Sequence, residues 1–146
     1  MAKERFKVVP AVYAILMKNE EILLLRRYNT GYQDGNYSFP AGHLDGNETL
    51  RQAIVREAKE EVDVDIKIDD LELVHIMHRK ADDHERIDFY YMVEIWQGEP
   101  KIMEPEKCDE LKWVAKDNLP NNLALEVKPA IENIFTNKSI YSDFGF

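Results

Sequence analysis

The feature that most constrains this chain is a capped amphipathic helix that carries three glutamates near its end. Thr49 and Gln52 have the spacing of a capping box, in which the hydroxyl accepts from a first-turn N–H and the amide reaches back. A helix is therefore predicted to begin near Thr49. Apolar residues recur at about 100° per residue on one stripe, the expected core face: Leu50, Ile54, Ala58 and Val62.

Three carboxylates lie on neighbouring positions of this helix. Glu57, Glu60 and Glu61 fall within about 100° of one another. Like charges four residues apart cost roughly 0.2–0.5 kcal/mol in water and more when they are desolvated. A hard divalent cation prefers oxygen ligands and leaves positions for water or substrate phosphates. The pattern predicts a site for such a cation, which the Gly42 carbonyl could complete; a solvated charged face is the alternative.

Residues 42–64 resemble the signature of the Nudix hydrolase family, in its MutT-like form. That signature is Gly, five residues, Glu, seven residues, Arg-Glu, an apolar residue, any residue, Glu-Glu, any residue, Gly and an apolar residue. The chain departs from it at Asp63, where the family has glycine, although Asp tolerates left-handed backbone better than most residues. The matching positions are Gly42, Glu48, Arg56, Glu57, Ala58, Glu60, Glu61 and Val64.

The resemblance implies an α/β fold, an α/β/α sandwich with a mixed β-sheet. It also implies a Mg2+ (or Mn2+) cofactor and attack of water on a phosphorus atom while the metals neutralise phosphate oxygens. The implied metal ligands are the Gly42 carbonyl, Glu57, Glu60 and Glu61. Arg56 and Glu48 are implied to brace the helix as a charged pair, with Glu48 as structural support.

The resemblance further implies cleavage of a nucleoside diphosphate that is linked to another group. We favour a nucleoside triphosphate, ordinary or oxidised, split to the monophosphate and pyrophosphate. Relatives acting on ADP-ribose often carry a proline beyond the signature, and diadenosine polyphosphate enzymes a tyrosine slightly later; Arg79 and the segment 80–82 occupy those places. The alternatives are an ADP-ribose or nucleotide-sugar pyrophosphatase, a catalytically silent nucleotide-binding module, and a nonenzymatic interaction domain.

The sequence does not determine which residue is the general base, because in Nudix proteins this residue lies either on the helix or in a later loop. Here Glu57 competes with Glu104, Glu106 and Glu110. Pro105 restricts the backbone beside Glu104 and favours this residue among the loop acids as a metal ligand or base; a solvated acidic turn is the alternative. The candidate catalytic residues are therefore Glu57, Glu104 and Arg56.

Three residues before the signature are candidates for substrate binding. Arg26 and Arg27 end a predicted strand, and guanidinium groups pair well with phosphate; a solvated strand end is the alternative. Tyr37 follows the loop of residues 29–36, whose two glycines, Asn and Asp residues indicate an exposed turn at the edge of a substrate pocket.

Size and charge narrow the class of protein. With 146 residues and 45% apolar content, residues 1–146 are predicted to form one domain. The net charge of −9 opposes a stable nucleic-acid complex, which depends on Lys and Arg. Cys108 is the only cysteine, which suits a reducing compartment, and no apolar run approaches a membrane span. A cytoplasmic monomer or homodimer that binds a small nucleotide, and no membrane, is expected.

Periodicity predicts the remaining elements. Apolar, β-branched runs before and after a polar turn at 18–21 indicate a β-hairpin. Residues 125–135 have near-helical spacing and predict a C-terminal helix over the sheet. The predicted strands are residues 8–17, 22–25, 64–68, 71–78, 87–96 and 111–114.

Overall fold

The computed structural model describes residues 3–146, which form a mixed β-sheet with helices on both faces. Its helices are α1 (Leu50–Val62) and α2 (Val127–Ile131), and α2 continues as a π-helical turn (Glu132–Thr136). None of the helices within residues 3–146 has the length and apolarity needed to cross a membrane. The strands are β1 (Val9–Lys18), β2 (Glu21–Arg27), β3 (Tyr37–Ser38), β4 (Ala41–His43), β5 (Glu72–Lys80), β6 (Glu85–Val93), β7 (Cys108–Ala115) and β8 (Tyr141–Phe144).

The sheet is built around β1. This strand runs parallel to β6 and antiparallel to β4, and it joins β2 through the predicted hairpin. Asn19 and Glu20 both have positive φ, 54° and 66°, the backbone that a tight two-residue hairpin turn requires. β2 also pairs with β3 and β7, while β5 pairs antiparallel with β6 and parallel with β8. Parallel and antiparallel pairs together make the mixed sheet that was predicted.

Alternation along β1 separates two hydrophobic cores. Val12, Ala14 and Leu16 are buried in one cluster with the apolar face of α1. Ala11, Tyr13 and Ile15 point the other way, into a cluster with α2. The sheet is thus covered by one helix on each face, and the predicted α/β/α fold is confirmed.

Helix α1 begins as its sequence predicts and ends at Asp63, where the chain departs from the family pattern. The Gln52 N–H donates to Thr49 Oγ1 (3.1 Å) and the Thr49 N–H donates to Gln52 Oε1 (2.9 Å), which completes the capping box. At the other end, Asp63 adopts left-handed backbone (φ 57°, ψ 42°). Its carboxylate pairs with Lys59 Nζ at 3.0 Å and Lys101 Nζ at 3.2 Å. An aspartate therefore takes the conformation that the family pattern assigns to glycine.

The predicted secondary structure was wrong at one segment and omitted three short strands, β3, β4 and β8. Residues 64–68 do not form a strand: Asp65 makes one isolated bridge to Gln97, and a 3-10 turn follows at Ile68–Asp70. Strand β8 was not predicted. Buried His75 contacts the segment that leads into it and β8 itself, with Nδ1 2.7 Å from the Ser139 carbonyl oxygen and Nε2 2.7 Å from Ser142 Oγ. Such long-range pairing leaves no periodic signal in a strand of four residues.

Candidate active site

A cavity of about 860 Å³ opens beside β4 and the carboxylate-bearing face of α1. The charged residues at this cavity include two groups. Acidic residues from α1 and from the loop before β7 form the first group, here called the acidic cluster: Glu57, Glu60, Glu61 and Glu104. The second group joins Arg79, Arg86 and Glu126 of the cavity wall to Asp88, and is here called the arginine network.

The backbone of β4 lies directly against the acidic cluster. A Cβ atom at position 42 would overlap the Glu57 carboxyl group, so a side chain here would displace that carboxyl group from its observed position. The Ala41 N–H donates to Glu61 Oε2 at 3.3 Å. Pairing of β4 with β1 fixes the strand, with Gly42 opposite Val12. The glycine that begins the family signature thus brings backbone and two helix carboxylates together.

Arg56 braces the loop that enters α1. Its Nη2 and Nε donate to the two oxygens of Glu48 at 2.8 and 3.1 Å, and Nη2 also reaches the His43 carbonyl oxygen at 3.2 Å. Nη1 donates to Glu57 Oε1 at 2.7 Å. The hydrogen bond from Arg56 lowers the pKa of Glu48 below its usual value. The structure therefore contains the Arg56–Glu48 pair that was predicted, and Arg56 also orients Glu57.

Burial disfavours the charged forms of Glu57 and Glu61, although Arg56 pairs with Glu57. Burial raises the pKa of Glu61 well above its usual value, and the charges of Glu57 and Glu104 raise it further. Burial also raises the pKa of Glu57, although its hydrogen bond with Arg56 opposes the change. A bound cation would stabilise both carboxylates in the charged form. Their oxygen donors suit a hard ion such as Mg2+ or Mn2+.

The side chains do not by themselves form a complete metal site. Within residues 3–146, no three carboxylate, imidazole or thiol groups are gathered closely enough to hold one ion. The Glu60 side chain is 56% exposed and its Oε2 lies 3.4 Å from Arg56 Nη1. Mg2+ commonly takes only one or two carboxylates and fills its other positions with water and substrate phosphate. The available oxygens fit that mode of binding.

The structure places the three residues predicted to bind substrate in two different surroundings. Arg27 lines the cavity, but Arg26 and Tyr37 do not. Adjacent residues of a strand point to opposite faces, and the ladder between β2 and β7 shifts register between Arg26 and Arg27. Arg26 binds Asp109 through two hydrogen bonds (2.7 and 3.0 Å), and the Tyr37 hydroxyl donates to Glu110 Oε1 (2.9 Å). These two residues therefore form contacts away from the cavity.

The cavity lining also distinguishes the three loop acids that are candidates for the general base. Glu104 lines the cavity, whereas Glu106 and Glu110 do not. The turn after Glu104 is well ordered by its own backbone, since the Glu104 carbonyl accepts from the N–H groups of Lys107 (2.9 Å) and Cys108 (3.0 Å). Among these candidates for the base, the fold brings only Glu104 to the carboxylates of α1.

Sequence reasoning missed the arginine network. Arg79 is 4% exposed; its Nε donates to Asp88 (2.8 Å), and its Nη atoms to the hydroxyls of Tyr32 (3.2 Å) and Tyr13 (3.3 Å). Burial disfavours its charge, but the surrounding acidic groups outweigh this effect and raise the pKa of Arg79 above its usual value. Asp88 offered a signal: it occupies a core position of β6, where a charged residue requires a buried partner.

The chain resembles known proteins in both fold and sequence. A MutT NUDIX hydrolase from Burkholderia pseudomallei superimposes with a TM-score of 0.81 at 25% identity, over 88% of this chain and 98% of that one. The 8-oxo-dGTP diphosphatase of Escherichia coli K12 is 30% identical over 116 residues, which cover 78% of this chain and 88% of the relative. An ADP-ribose pyrophosphatase of Methanocaldococcus jannaschii is also 30% identical, over 122 residues, 82% of this chain and 70% of the relative.

The similarity to these enzymes places the chain among the hydrolases that act on pyrophosphate bonds. The profile of the NUDIX domain matches residues 7–135, and the chain belongs to the Nudix family.

Proposed function

We propose that this protein hydrolyses a nucleoside triphosphate, ordinary or oxidised, to the monophosphate and pyrophosphate with Mg2+ (or Mn2+). The observation that carries the proposal is one cavity that joins an acidic cluster, the guanidinium of Arg27 and the arginine network. The acidic cluster can bind phosphates through metal ions, and the Arg27 guanidinium can bind a phosphate directly. The arginine network can form hydrogen bonds with the rest of the nucleotide. The similarity to the 8-oxo-dGTP diphosphatase supports this choice.

Glu57, Glu60, Glu61 and the Gly42 carbonyl would supply the metal ligands, with one or two carboxylates on each ion and water or substrate phosphate in the remaining positions. When bound, the metal would neutralise the phosphate oxygens and lower the pKa of a coordinated water. Arg56 keeps Glu57 oriented by the 2.7 Å contact at Nη1 while Glu48 holds the other side of the guanidinium. The protein thereby contributes orientation and electrostatic stabilisation, which dominate catalysis of phosphoryl transfer.

The arginine network suits an uncharged polar group. Its two arginines, Arg79 and Arg86, are matched by the carboxylates of Asp88 and Glu126. A phosphate there would meet two carboxylates, which disfavour it, whereas a sugar or base can exchange hydrogen bonds without upsetting the charge balance. We infer that the nucleoside part of the substrate lies against this network and the phosphates lie near the acidic cluster.

The phosphate contact gives a first testable result. Arg27→Ala is expected to raise the Michaelis constant for a triphosphate about tenfold and to change turnover less, because a charge-assisted contact held in ground and transition states contributes uniform binding. Steady-state kinetics at saturating Mg2+ measure both constants. Arg26→Ala is the matched control, since Arg26 lies outside the cavity. An unchanged Michaelis constant in Arg27→Ala would remove the phosphate contact from the proposal.

The base is proposed to be Glu104, with Glu57 as the alternative. If Glu104 accepts the proton of the attacking water, Glu104→Gln should lower turnover at saturating Mg2+ by about a hundredfold and flatten the acidic limb of the pH profile. Glu106→Gln serves as control because Glu106 lies outside the cavity. Normal turnover and an intact acidic limb in Glu104→Gln would assign the proton to Glu57 instead.

A screen of nucleotides with Mg2+ tests the proposed function as a whole. Both products of each reaction should be identified, and a nucleoside triphosphate should yield monophosphate and pyrophosphate with the highest kcat/KM. Faster cleavage of ADP-ribose or a nucleotide sugar would favour the second candidate, which the Methanocaldococcus jannaschii relative supports. Nucleotide binding without any hydrolysis would instead identify a silent binding module.

A further inference from the structure

The loop of residues 29–35 binds one edge of the Arg27 guanidinium, at Nε and Nη2. Tyr32 accepts from Arg27 Nε through its carbonyl oxygen at 2.6 Å, and its ring lies under the guanidinium carbon at 5.3 Å from the centroid. Thr30 Oγ1 accepts from Arg27 Nη2 at 3.1 Å. A guanidinium has five N–H donors. Three of them find no acceptor within residues 3–146 and remain available to a phosphate.

Asp34 organises this loop from a position outside the cavity lining. Its carboxylate accepts from the N–H of Thr30 (3.0 and 3.1 Å), from the N–H of Gly31 (2.9 Å) and from Thr30 Oγ1 (2.6 Å). These hydrogen bonds lower the pKa of Asp34. The loop needs such support, because Asn29 and Gln33 have positive φ (54° and 50°), which is unfavourable for residues with a side chain.

The threonine hydroxyl links Asp34 to Arg27. A hydroxyl group has one hydrogen and two lone pairs. Two acceptors lie near this hydrogen, Asp34 Oδ1 at 2.6 Å and the Tyr32 carbonyl oxygen at 3.0 Å, and the shorter contact directs it towards Asp34. One lone pair of Thr30 Oγ1 then accepts from Arg27 Nη2 (3.1 Å) and the other from the Tyr32 N–H (3.2 Å). Asp34 thus selects the orientation of the Thr30 hydroxyl that can hold the arginine.

We propose that Asp34 is a positioning residue for substrate binding: through Thr30 and loop 29–35 it fixes Arg27 in the orientation that receives a substrate phosphate. The inference rests on the proposed function, since it gives Arg27 the phosphate contact. In this arrangement, the Asp34 carboxylate lies outside the cavity lining and still improves the binding of a polyanion. Ordering the arginine before the substrate arrives reduces the conformational entropy lost on binding.

The direction of the change in substrate binding distinguishes positioning of Arg27 by Asp34 from a direct effect of the Asp34 charge. Asp34 is negative and near Arg27, so its charge alone repels a phosphate, and its removal should then strengthen substrate binding. If Asp34 positions the arginine, its removal weakens binding instead. Thr30→Val breaks the same link without any change of charge. The two variants therefore test positioning independently of charge.

The experiment compares Asp34→Ala, Asp34→Asn and Thr30→Val with wild type in triphosphate hydrolysis at saturating Mg2+. Asp34→Ala and Thr30→Val are expected to raise KM about five- to tenfold with kcat within about threefold, because the lost orientation affects ground and transition states alike. Asp34→Asn should lie between wild type and Asp34→Ala, since its amide oxygen can still accept from the loop. Asp69→Ala, an exposed acid of the 3-10 turn, controls for loss of one negative charge.

A double variant gives the decisive comparison. Arg27→Ala with Asp34→Ala should have the same KM as Arg27→Ala alone, because without the arginine Asp34 has nothing to position. An unchanged or lowered KM in Asp34→Ala, or additive effects in the double variant, would overturn the role of Asp34. If Arg27→Ala itself leaves KM unchanged, the phosphate contact of the proposed function is what has failed. Circular dichroism and thermal unfolding establish that each variant is folded.

Discussion

Glu57→Gln is expected to lower turnover at least about a hundredfold, as the loss of one preorganised electrostatic group commonly does, while the fold persists. The carboxyl group lies against Gly42 and accepts from Arg56 Nη1 at 2.7 Å, so glutamine fits the same space. It lacks the negative charge that a metal ligand supplies. Stability should change little, because Arg56 keeps its two hydrogen bonds to Glu48 and one buried charge is removed.

Turnover at saturating nucleotide and Mg2+, together with circular dichroism, measures the two parts of this result. Glu132→Gln is a suitable control, since it makes the same chemical change at an exposed residue after α2. Loss of activity without loss of fold would locate the effect in the cavity. A Glu57→Gln rate within about threefold of wild type would refute the placement of Glu57 among the residues that hold the metal.

Features that depend on a few neighbouring residues could be predicted from the sequence. The capping box of Thr49 and Gln52 involves contacts three residues apart, and the structure contains both hydrogen bonds. The left-handed exit at Asp63 is equally local. The pair of Arg56 and Glu48 is close in sequence and was implied by the family resemblance. The helix and its carboxylates were therefore predictable, and with them the class of chemistry.

Features that depend on strand register were less accessible. Arg26 and Arg27 are chemically equivalent in the sequence, and only the course of β2 decides which guanidinium reaches the cavity. Arg26 instead pairs with Asp109, 83 residues away. The alternating pattern of residues 64–68 also led to the prediction of a strand that does not form. Val64 and Ile66 alternate because they are buried in the cluster with α1, and the segment makes only the isolated bridge of Asp65 to Gln97. Alternating polarity indicates a half-buried segment and does not provide the partner strand.

Contacts between residues that are far apart in the sequence, as in the arginine network, were also not predictable. Arg79 and Glu126 are 47 residues apart and come from β5 and from the residue before α2. Each has an ordinary sequence environment, so only the fold brings them together at 3.9 Å. What a sequence can show is the anomaly of a charge at a core position, as at Asp88. Identifying its partner requires the arrangement of the sheet.

Glu61→Gln is expected to make the metal-free protein more stable near neutral pH and to abolish its stabilisation by Mg2+. Burial raises the pKa of Glu61 above the ordinary value of 4.5, and the charges of Glu57 and Glu104 add to it. Between the unfolded and the raised folded pKa, the folded protein binds more protons than the unfolded chain. The free energy of unfolding therefore falls as pH rises through this window, and below the unfolded pKa this loss disappears.

Glutamine at position 61 does not titrate and avoids this loss, so Glu61→Gln should gain about 1–2 kcal/mol over wild type in chelator at neutral pH. The gain should vanish as the pH falls to about 4.5, the usual value for this carboxyl. Mg2+ reverses the order, because an ion that binds the folded wild type stabilises it by mass action. Urea unfolding at a series of pH values, with chelator and with Mg2+, measures all three effects. Two results would contradict this prediction: greater stability of the wild type than of Glu61→Gln in chelator, or stabilisation of Glu61→Gln by Mg2+ as large as that of the wild type. Either result would mean that the cation does not relieve the repulsion at Glu61. The carboxylate would then have some role other than holding the metal.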